Sequence, residues 1–240
     1  MSRLDNYLVE KNLSGSRTKA QTLINDGFVS VNGKTIIKSS YKLDEEDVVK
    51  VREHKEYVSR AAFKLSSFLD ELNLDVSGKI ALDIGASTGG FTQVLLERGV
   101  CEVSAVDVGK EQLHESLRSD SRVRSFESCD IRKFESDKKF ELVVSDVSFI
   151  SLLYILDDIE RLACGKIILL FKPQFEVGKD AKRDNNGVVL DNKAILQAML
   201  RFEDACKLKG WRLVLKSPSK LTGKEGNLEY CYAYEHRALL

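Results

Sequence analysis

Leu82-Asp83-Ile84-Gly85-Ala86-Ser87-Thr88-Gly89-Gly90-Phe91 is the stretch that decides how this chain folds. The apolar run Ile80, Ala81, Leu82 ends in a carboxylate, crosses a glycine-rich turn and opens a helical pattern at Phe91. A strand–loop–helix edge of this kind lets a ligand lie against the backbone. Three chemistries use such a turn: binding of a dinucleotide, binding of S-adenosylmethionine, or nucleophilic attack by a serine in a Gly-x-Ser-x-Gly elbow.

Outward from the loop, apolar runs alternate with helical patterns. The expected strands are Ile80–Ile84, Val103–Val108, Val123–Phe126, Leu142–Asp146, Ile167–Phe171, Leu213–Leu215 and Leu228–Tyr234. Helical stretches include an amphipathic one before the loop, carrying Ala61, Ala62, Leu65, Phe68, Leu69 and Leu72, then Phe91–Arg98, Phe149–Leu162 and Lys193–Leu208. Near-continuous apolar strands interleaved with helices predict an α/β, Rossmann-like, mostly parallel sheet covered on both faces. The last two strands form an antiparallel hairpin at one edge.

In such a sheet ligands sit at the carboxyl ends of the strands. Those ends carry Asp83, Asp107, Asp130, Asp146 and Lys172. A dinucleotide fingerprint needs glycine where Ser87 stands, so that a pyrophosphate can come close. A hydrolase elbow at Ser87 needs a later acid and histidine. Only His114 and His236 follow, and His236 lies past the last strand, where a surface role is expected. S-adenosylmethionine fits best. Asp83 is expected to face its methionine end, with Gly85, Ala86, Ser87, Gly89, Gly90 and Phe91 forming the cradle. Asp107, with Val108 beside it, accepts the ribose hydroxyls, and Asp130 accepts from the adenine amino group. The helix N-terminus at Gly90 favours the ligand carboxylate by roughly 0.3–1 kcal/mol.

Residues 1–51 read as a separate α+β unit, α-α-β-β-β, small enough to be marginal alone. Ser16 is a suitable N-cap, Gly27 a helix stop, and Asn32-Gly33 a hairpin turn. Arg3, Arg17, Lys19 and Lys34 sit at helix starts and at the hairpin tip. The order Arg3-Leu4-Asp5, Ser16-Arg17-x-Lys19-Ala20-Gln21 and Gly27-x-Val29-x-Val31-Asn32-Gly33-Lys34 resembles the S-four-type RNA-binding domain. That resemblance implies binding of structured RNA through shape and phosphates. Residues 52–58 are polar and read as a linker, leaving 59–240 for the larger domain.

Composition narrows the class further. The formal net charge is zero over 240 residues, which argues against a wholly basic nucleic-acid binder. The average hides a pattern: residues 1–42 carry +4, 61–171 carry −6 and 172–240 carry +4. Two basic ends leave room for a polyanionic partner. The 5 cysteines are widely spaced without a Cys-x-x-Cys pair, so neither a disulfide framework nor a zinc site is expected; reduced, mostly buried thiols are. The N-terminus is too charged for a signal peptide, and no apolar run is long enough to span a bilayer. A cytoplasmic protein without integral membrane association or a metal follows.

Lys64, Asp146, Lys172 and Glu229 remain. Charges at the mouth of a sheet are costly unless paired, so the four are expected to meet in a neutral cluster beside the methyl donor. Tyr57-Val58-Ser59-Arg60-x-x-x-Lys64, the glycine loop, Ala105-Val106-Asp107-Val108-Gly109, Ser145-Asp146-Val147-Ser148-Phe149-Ile150-Ser151-Leu152, Lys172-Pro173-Gln174-Phe175-Glu176 and Gly226-Asn227-x-Glu229 together resemble the TlyA family. Its members join an S-four-type domain to an FtsJ-like rRNA methyltransferase. The resemblance implies 2′-O-methylation of ribosomal RNA, at cytidines, with ribosomal RNA or subunits as partners. It maps the Lys-Asp-Lys-Glu tetrad onto Lys64, Asp146, Lys172 and Glu229. This chain departs from the family pattern at Ala61-Ala62 and at Leu190, where glycines and an arginine are usual.

Lys172 is then the expected general base, or the group that steers the hydroxyl. Arg60 and the tail lysines Lys216, Lys220 and Lys224 are expected to hold RNA phosphates along with the amino-terminal unit. Two other classes stay open on sequence alone: a non-catalytic RNA-binding or ribosome-assembly protein, and a haemolysin acting on membranes. No amphipathic pore segment or export signal supports the second.

Overall fold

A computed structural model describes residues 2–25, 27–52 and 57–236. The chain divides into two compact units, Met1–Glu56 and Tyr57–Leu240. Residues 53–56 of the expected linker lie outside the described residues.

The first unit runs β1 (Ser2–Arg3), α1 (Leu4–Glu10), α2 (Arg17–Asn25), β2 (Val29–Val31), β3 (Lys34–Thr35), β4 (Lys42–Leu43) and β5 (Val49–Val51). Strands β3-β2-β5 form an antiparallel sheet, and β1 pairs with β4. The β1–β4 pair was not foreseen; two residues per strand are too few for an alternating pattern to register. Leu4, Leu8, Ala20, Ile24, Val29 and Leu43 make the core. Ser16 Oγ accepts from Lys19 N at 3.2 Å, the cap its position predicts.

Asp5 organises the polar side of this unit. Its side chain is fully buried. Both oxygens accept from Arg3 at 2.9 Å, and Oδ2 also accepts from Arg17 Nε at 3.1 Å and Gln21 Nε2 at 2.9 Å. These bonds hold its carboxyl well below the usual carboxylate range, the Arg3 bond most of all. The two guanidinium groups stay about half exposed, so their pairing is partly screened. Asp5→Ala should lower the stability of this unit by about 1–3 kcal/mol in thermal unfolding. An unchanged unfolding profile would mean the cluster is only surface decoration.

The second unit is α/β. Its elements are α3 (Ala61–Leu72), β6 (Ile80–Ile84), α4 (Gly90–Glu97), β7 (Glu102–Val106), α5 (Glu115–Arg118), β8 (Val123–Phe126), β9 (Phe140–Ser145), α6 (Leu156–Leu162), β10 (Ala163–Phe171), α7 (Pro173–Glu176), α8 (Asn192–Leu208), β11 (Arg212–Pro218) and β12 (Tyr230–Glu235). Their sheet order is β11-β12-β10-β9-β6-β7-β8. Strands β6 to β10 are parallel; β12 runs antiparallel to both β10 and β11.

Alternate residues of each strand enter opposite cores. Leu82, Ile84, Val143, Ile167, Leu169, Phe171, Tyr232 and Tyr234 pack on one face with α6 and α8. Ala81, Leu142, Val144, Ile168, Leu170, Cys231 and Ala233 pack on the other with α3 and α4. Both faces being buried is why the strands read as continuous apolar runs.

The expected helix Phe149–Leu162 is shorter. A 3-10 turn spans Leu152–Tyr154, and the α-helix starts only at Leu156. Phe149 has φ of +65°, which no right-handed helix accommodates. Ser151 Oγ caps the turn through Leu153 N. The thiols also differ from expectation: Cys206 and Cys231 are buried, with burial pushing each up to about 12, while Cys101 and Cys164 are exposed. No described helix is long and apolar enough to cross a membrane.

Candidate active site

The strand order reverses between β6 and β9, which opens a crevice at their carboxyl ends. Two cavities of about 600 and 630 Å³ meet there, sharing Gly85, Ser87, Asp146, Ser148 and Phe149 as a common wall.

The smaller cavity is lined by Val106, Asp107, Val108, Gly109, Asp130 and Ile131, among others. Gly85, at φ +81°, lets β6 turn under the ligand; a Cβ there would stand 3.1 Å from Asp146 O. Ser87 also takes the left-handed backbone, at φ +48°, and is held there because its N–H donates to Asp107 Oδ2 at 2.8 Å. Asp107 Oδ1 accepts from Gly109 N at 2.7 Å, so one carboxylate ties both loops and keeps lone pairs for a ligand. Asp130 is not free: Arg132 Nε contacts both its oxygens at 3.0 and 3.1 Å, and Nη2 approaches Oδ2 at 2.5 Å. That guanidinium lowers its carboxyl to about 2. Arg132 was not singled out from the sequence.

Of the three carboxylates that line this cavity, Asp130 is paired with Arg132 and Asp146 with Lys172, which leaves the Asp107 acceptor for a ligand. Such a lining offers no unengaged cation among the described residues to a pyrophosphate and suits a ligand with hydroxyls and no phosphate. The donor set therefore fits S-adenosylmethionine and disfavours a dinucleotide. The serine-elbow reading fails on geometry: His114 Nδ1 bonds Ser116 Oγ at 2.8 Å, and His236 Nε2 lies 3.0 Å from Glu160. His236 is also mostly buried, contrary to the surface role expected of it.

Asp83 corrects another expectation. It lines neither cavity and is completely buried beneath the loop, accepting from Thr92 Oγ1 at 2.7 Å. Burial pushes it up to about 7. Its folded value lies above the unfolded one, so the folded state binds an extra proton at mildly acidic pH. Its contribution is therefore most favourable below about pH 4 and becomes a full penalty above about pH 7. Asp83→Asn should relieve up to about 4 kcal/mol at pH 8 and nearly nothing at pH 4. Parallel pH–melting curves for the two proteins would overturn this. Gly89 lines neither cavity either.

The larger cavity is lined by all four tetrad positions. Lys64 comes from α3, Asp146 follows β9, and Lys172 follows β10. Glu229 precedes β12, whose antiparallel course brings its start to the carboxyl edge, with Tyr230 opposite Phe171. Lys64 Nζ lies 2.5 Å from Glu229 Oε2, and both side chains are almost wholly buried. Lys172 Nζ lies 2.5 Å from Asp146 Oδ1 and donates to Ser148 Oγ at 2.8 Å. Gln174 Nε2 donates to Glu229 Oε1 at 3.3 Å. The cluster is thus two ion pairs, each with a neutral partner. Ala86, Gly90 and Phe91 line this cavity rather than the smaller one.

Residues 57–236 match the FtsJ-like methyltransferase family and residues 2–49 match the S4 domain. The Campylobacter jejuni protein named 23S rRNA (cytidine-2'-O)-methyltransferase TlyA is 46% identical over 246 residues, covering 95% of this chain and 97% of its own. The chain belongs to the TlyA family of FtsJ-like methyltransferases.

Another TlyA relative, the 16S/23S rRNA (cytidine-2'-O)-methyltransferase of Mycobacterium tuberculosis, is 39% identical over 236 residues, covering 95% of this chain and 88% of its own. A solved structure labelled a haemolysin, from Streptococcus thermophilus, superposes with a TM-score of 0.72 at 34% identity, covering 98% of this chain and 88% of that one. Ala61 and Ala62 begin α3, and Ala62 is fully buried there; nothing in the structure explains why alanines stand at these two positions. Leu190 is half exposed, its N–H bonded to Lys182 O at 2.9 Å; nothing in the structure explains why leucine stands there.

The residues expected to contact RNA divide. Lys220 is exposed. Arg60 Nη2 donates to Thr222 O at 3.0 Å, tying α3 to the loop before β12. Lys216 is taken up by Glu203 at 2.9 Å and packs over Tyr232, so it is withdrawn from the basic surface proposed for the tail. Lys224 lines the larger cavity. Ser148 and Gln174 are neutral partners of the two ion pairs, and a neutral side chain gives no signal in sequence until its charged neighbour is placed.

Proposed function

We propose that this TlyA-family protein transfers the methyl group of S-adenosylmethionine to the 2′-hydroxyl of a cytidine in ribosomal RNA. The observation that carries the reading is that Lys64, Asp146, Lys172 and Glu229 line one cavity, which shares a wall with a cavity that presents the Asp107 acceptor. The names of the Campylobacter and Mycobacterium relatives support the same substrate.

When bound, the donor supplies an electrophilic methyl on a sulfonium sulfur. Asp107 would hold its ribose hydroxyls, and the backbone at Gly85 and Ser87 would lie along it. On the other side of the wall, Lys172 steers the 2′-hydroxyl and takes its proton as attack proceeds. Asp146 fixes Lys172, while the Lys64–Glu229 pair closes the far side. Much of the rate comes from holding the hydroxyl in line with the methyl group.

The RNA is held elsewhere by phosphate contacts. Arg3 and Arg17, fixed by Asp5, act with Lys19 and Lys34 in the amino-terminal unit; in the larger unit, Lys224 acts from the wall of the larger cavity and Lys220 from the exposed surface. A protein that works on ribosomal RNA in this way acts in the cytoplasm. Binding should weaken steeply as salt rises.

The test is incubation with methyl-labelled S-adenosylmethionine and either ribosomal RNA or isolated subunits, followed by digestion to nucleosides. Label in 2′-O-methylcytidine is expected. RNA binding without label would mark an assembly protein, and lysis of membranes by protein that does not bind RNA would mark a toxin.

A further inference from the structure

Ser148 sits where the two cavities meet and lines both of them. Its hydroxyl oxygen accepts from Lys172 Nζ at 2.8 Å, while Asp146 Oδ1 stands 2.5 Å from the same nitrogen. Lys172 is therefore gripped from two directions, and its side chain keeps only 9% of its surface exposed. The residue after Ser148 is Phe149, an aromatic in the left-handed region at φ +65°. A bulky side chain there is a backbone outlier, and such strain persists where the surroundings demand a particular placement. What the turn places at this wall is the Ser148 hydroxyl.

We propose that Ser148 is a positioning residue that aims the Lys172 amine at the substrate hydroxyl. The inference rests on the reading of Lys172 as the group that takes the 2′-hydroxyl proton. In the ion pair with Asp146 the nitrogen is an ammonium, so one proton leaves to solvent through the cleft before attack; the uncharged amine that remains has two N–H bonds and one lone pair around nitrogen. Ser148 Oγ accepts one N–H, and the Asp146 carboxylate holds the nitrogen by charge from a second side. With one N–H fixed on Ser148, fewer orientations are open to the lone pair, and Lys172 lines the larger cavity that the hydroxyl enters. With Asp146 alone, the N–H bonds and the lone pair exchange places freely, and the long lysine stem regains motion.

In the step so arranged, the 2′-oxygen forms its bond to the methyl carbon. The methyl–sulfur bond breaks with its electron pair returning to sulfur, and the hydroxyl proton passes to the Lys172 lone pair. No further reactant is needed. Ser148 neither gains nor loses a proton. It differs from Asp146 in adding direction without adding charge.

Ser148 is exposed at the cleft, so its replacement leaves the core intact. The full-length protein would be prepared as Ser148→Ala, Ser148→Cys, Ser148→Thr and Lys172→Ala. Each would be measured for kcat and for KM toward ribosomal RNA, for S-adenosylmethionine affinity by calorimetry, and for melting temperature. Ser148→Ala and Ser148→Cys should lower kcat at least about 10-fold, with KM, donor affinity and melting temperature near wild type. Ser148→Thr keeps the hydroxyl and should restore most of the rate. A raised KM at unchanged kcat in Ser148→Ala would overturn the proposal, because it marks ordinary substrate binding. Wild-type kcat in Ser148→Ala beside an inactive Lys172→Ala would overturn it too, while leaving the Lys172 reading standing. An active Lys172→Ala would remove that reading itself.

Discussion

Lys172→Ala should reduce methyl transfer by about 100- to 10,000-fold while S-adenosylmethionine still binds. The lysine ends β10, and Pro173 at the first position of α7 fixes the chain direction immediately after it. Its ammonium nitrogen is within 2.5 Å of Asp146, and its side chain points into the larger cavity, not the one suited to the donor. Removing it therefore leaves the donor contacts untouched. Lys172→Arg separates the two readings of this residue. A guanidinium can hold Asp146 and steer a hydroxyl, but it has no lone pair to take a proton at any accessible pH. Single-turnover rates near wild type in Lys172→Arg would exclude proton transfer to this position and leave steering alone.

The second large effect concerns stability. Lys64 and Glu229 are 7% and 2% exposed, and their charged ends lie 2.5 Å apart. Lys64→Met should cost about 3–5 kcal/mol, because Glu229 is left charged and buried, with the Gln174 amide as its remaining side-chain partner among the described residues. Glu229→Leu should cost a similar amount for the opposite reason. The double variant, with two apolar side chains facing each other, should recover most of that stability without recovering methylation. Denaturant unfolding of the four proteins measures the cycle. Additive losses in the double variant would show that the two charges stabilise the fold independently.

Much of this architecture is legible in the residues themselves. The apolar strands announce a sheet buried on both faces because each successive side chain enters a core, as with Ile167 on one side and Ile168 on the other. The carboxylates after β7, β8 and β9, Asp107, Asp130 and Asp146, flag the crevice, since the parallel order puts these strand ends on the same edge. Sequence reasoning misplaced groups whose role depends on depth. Asp83 looks the same as Asp107 in a motif, yet one is sealed under Thr92 and the other binds two loops from the cavity wall. Asp130 looks available until Arg132, two residues on, is seen to grip it. The helix drawn from Phe149 satisfied an apolar pattern, but the turn ahead of it is pinned by Glu176, which accepts from Leu152 N at 2.9 Å and Ser151 Oγ at 2.5 Å. Glu176 comes from 24 residues later, beyond the reach of any local signal.

The entry of β12 into the sheet has a kinetic consequence. Glu229 meets Lys64 across 165 residues of chain, the widest separation among the contacts that build the cavity. Contacts closed over such long loops tend to form late in folding. The loop after β6 and the strands beside it need far shorter closures, so a partly folded chain can assemble the donor side first. On that order of closure, capture of the methyl donor should precede competence to transfer it during maturation. A chain stalled between them is a binder without being a catalyst, and only the docking of its last described strand converts one into the other.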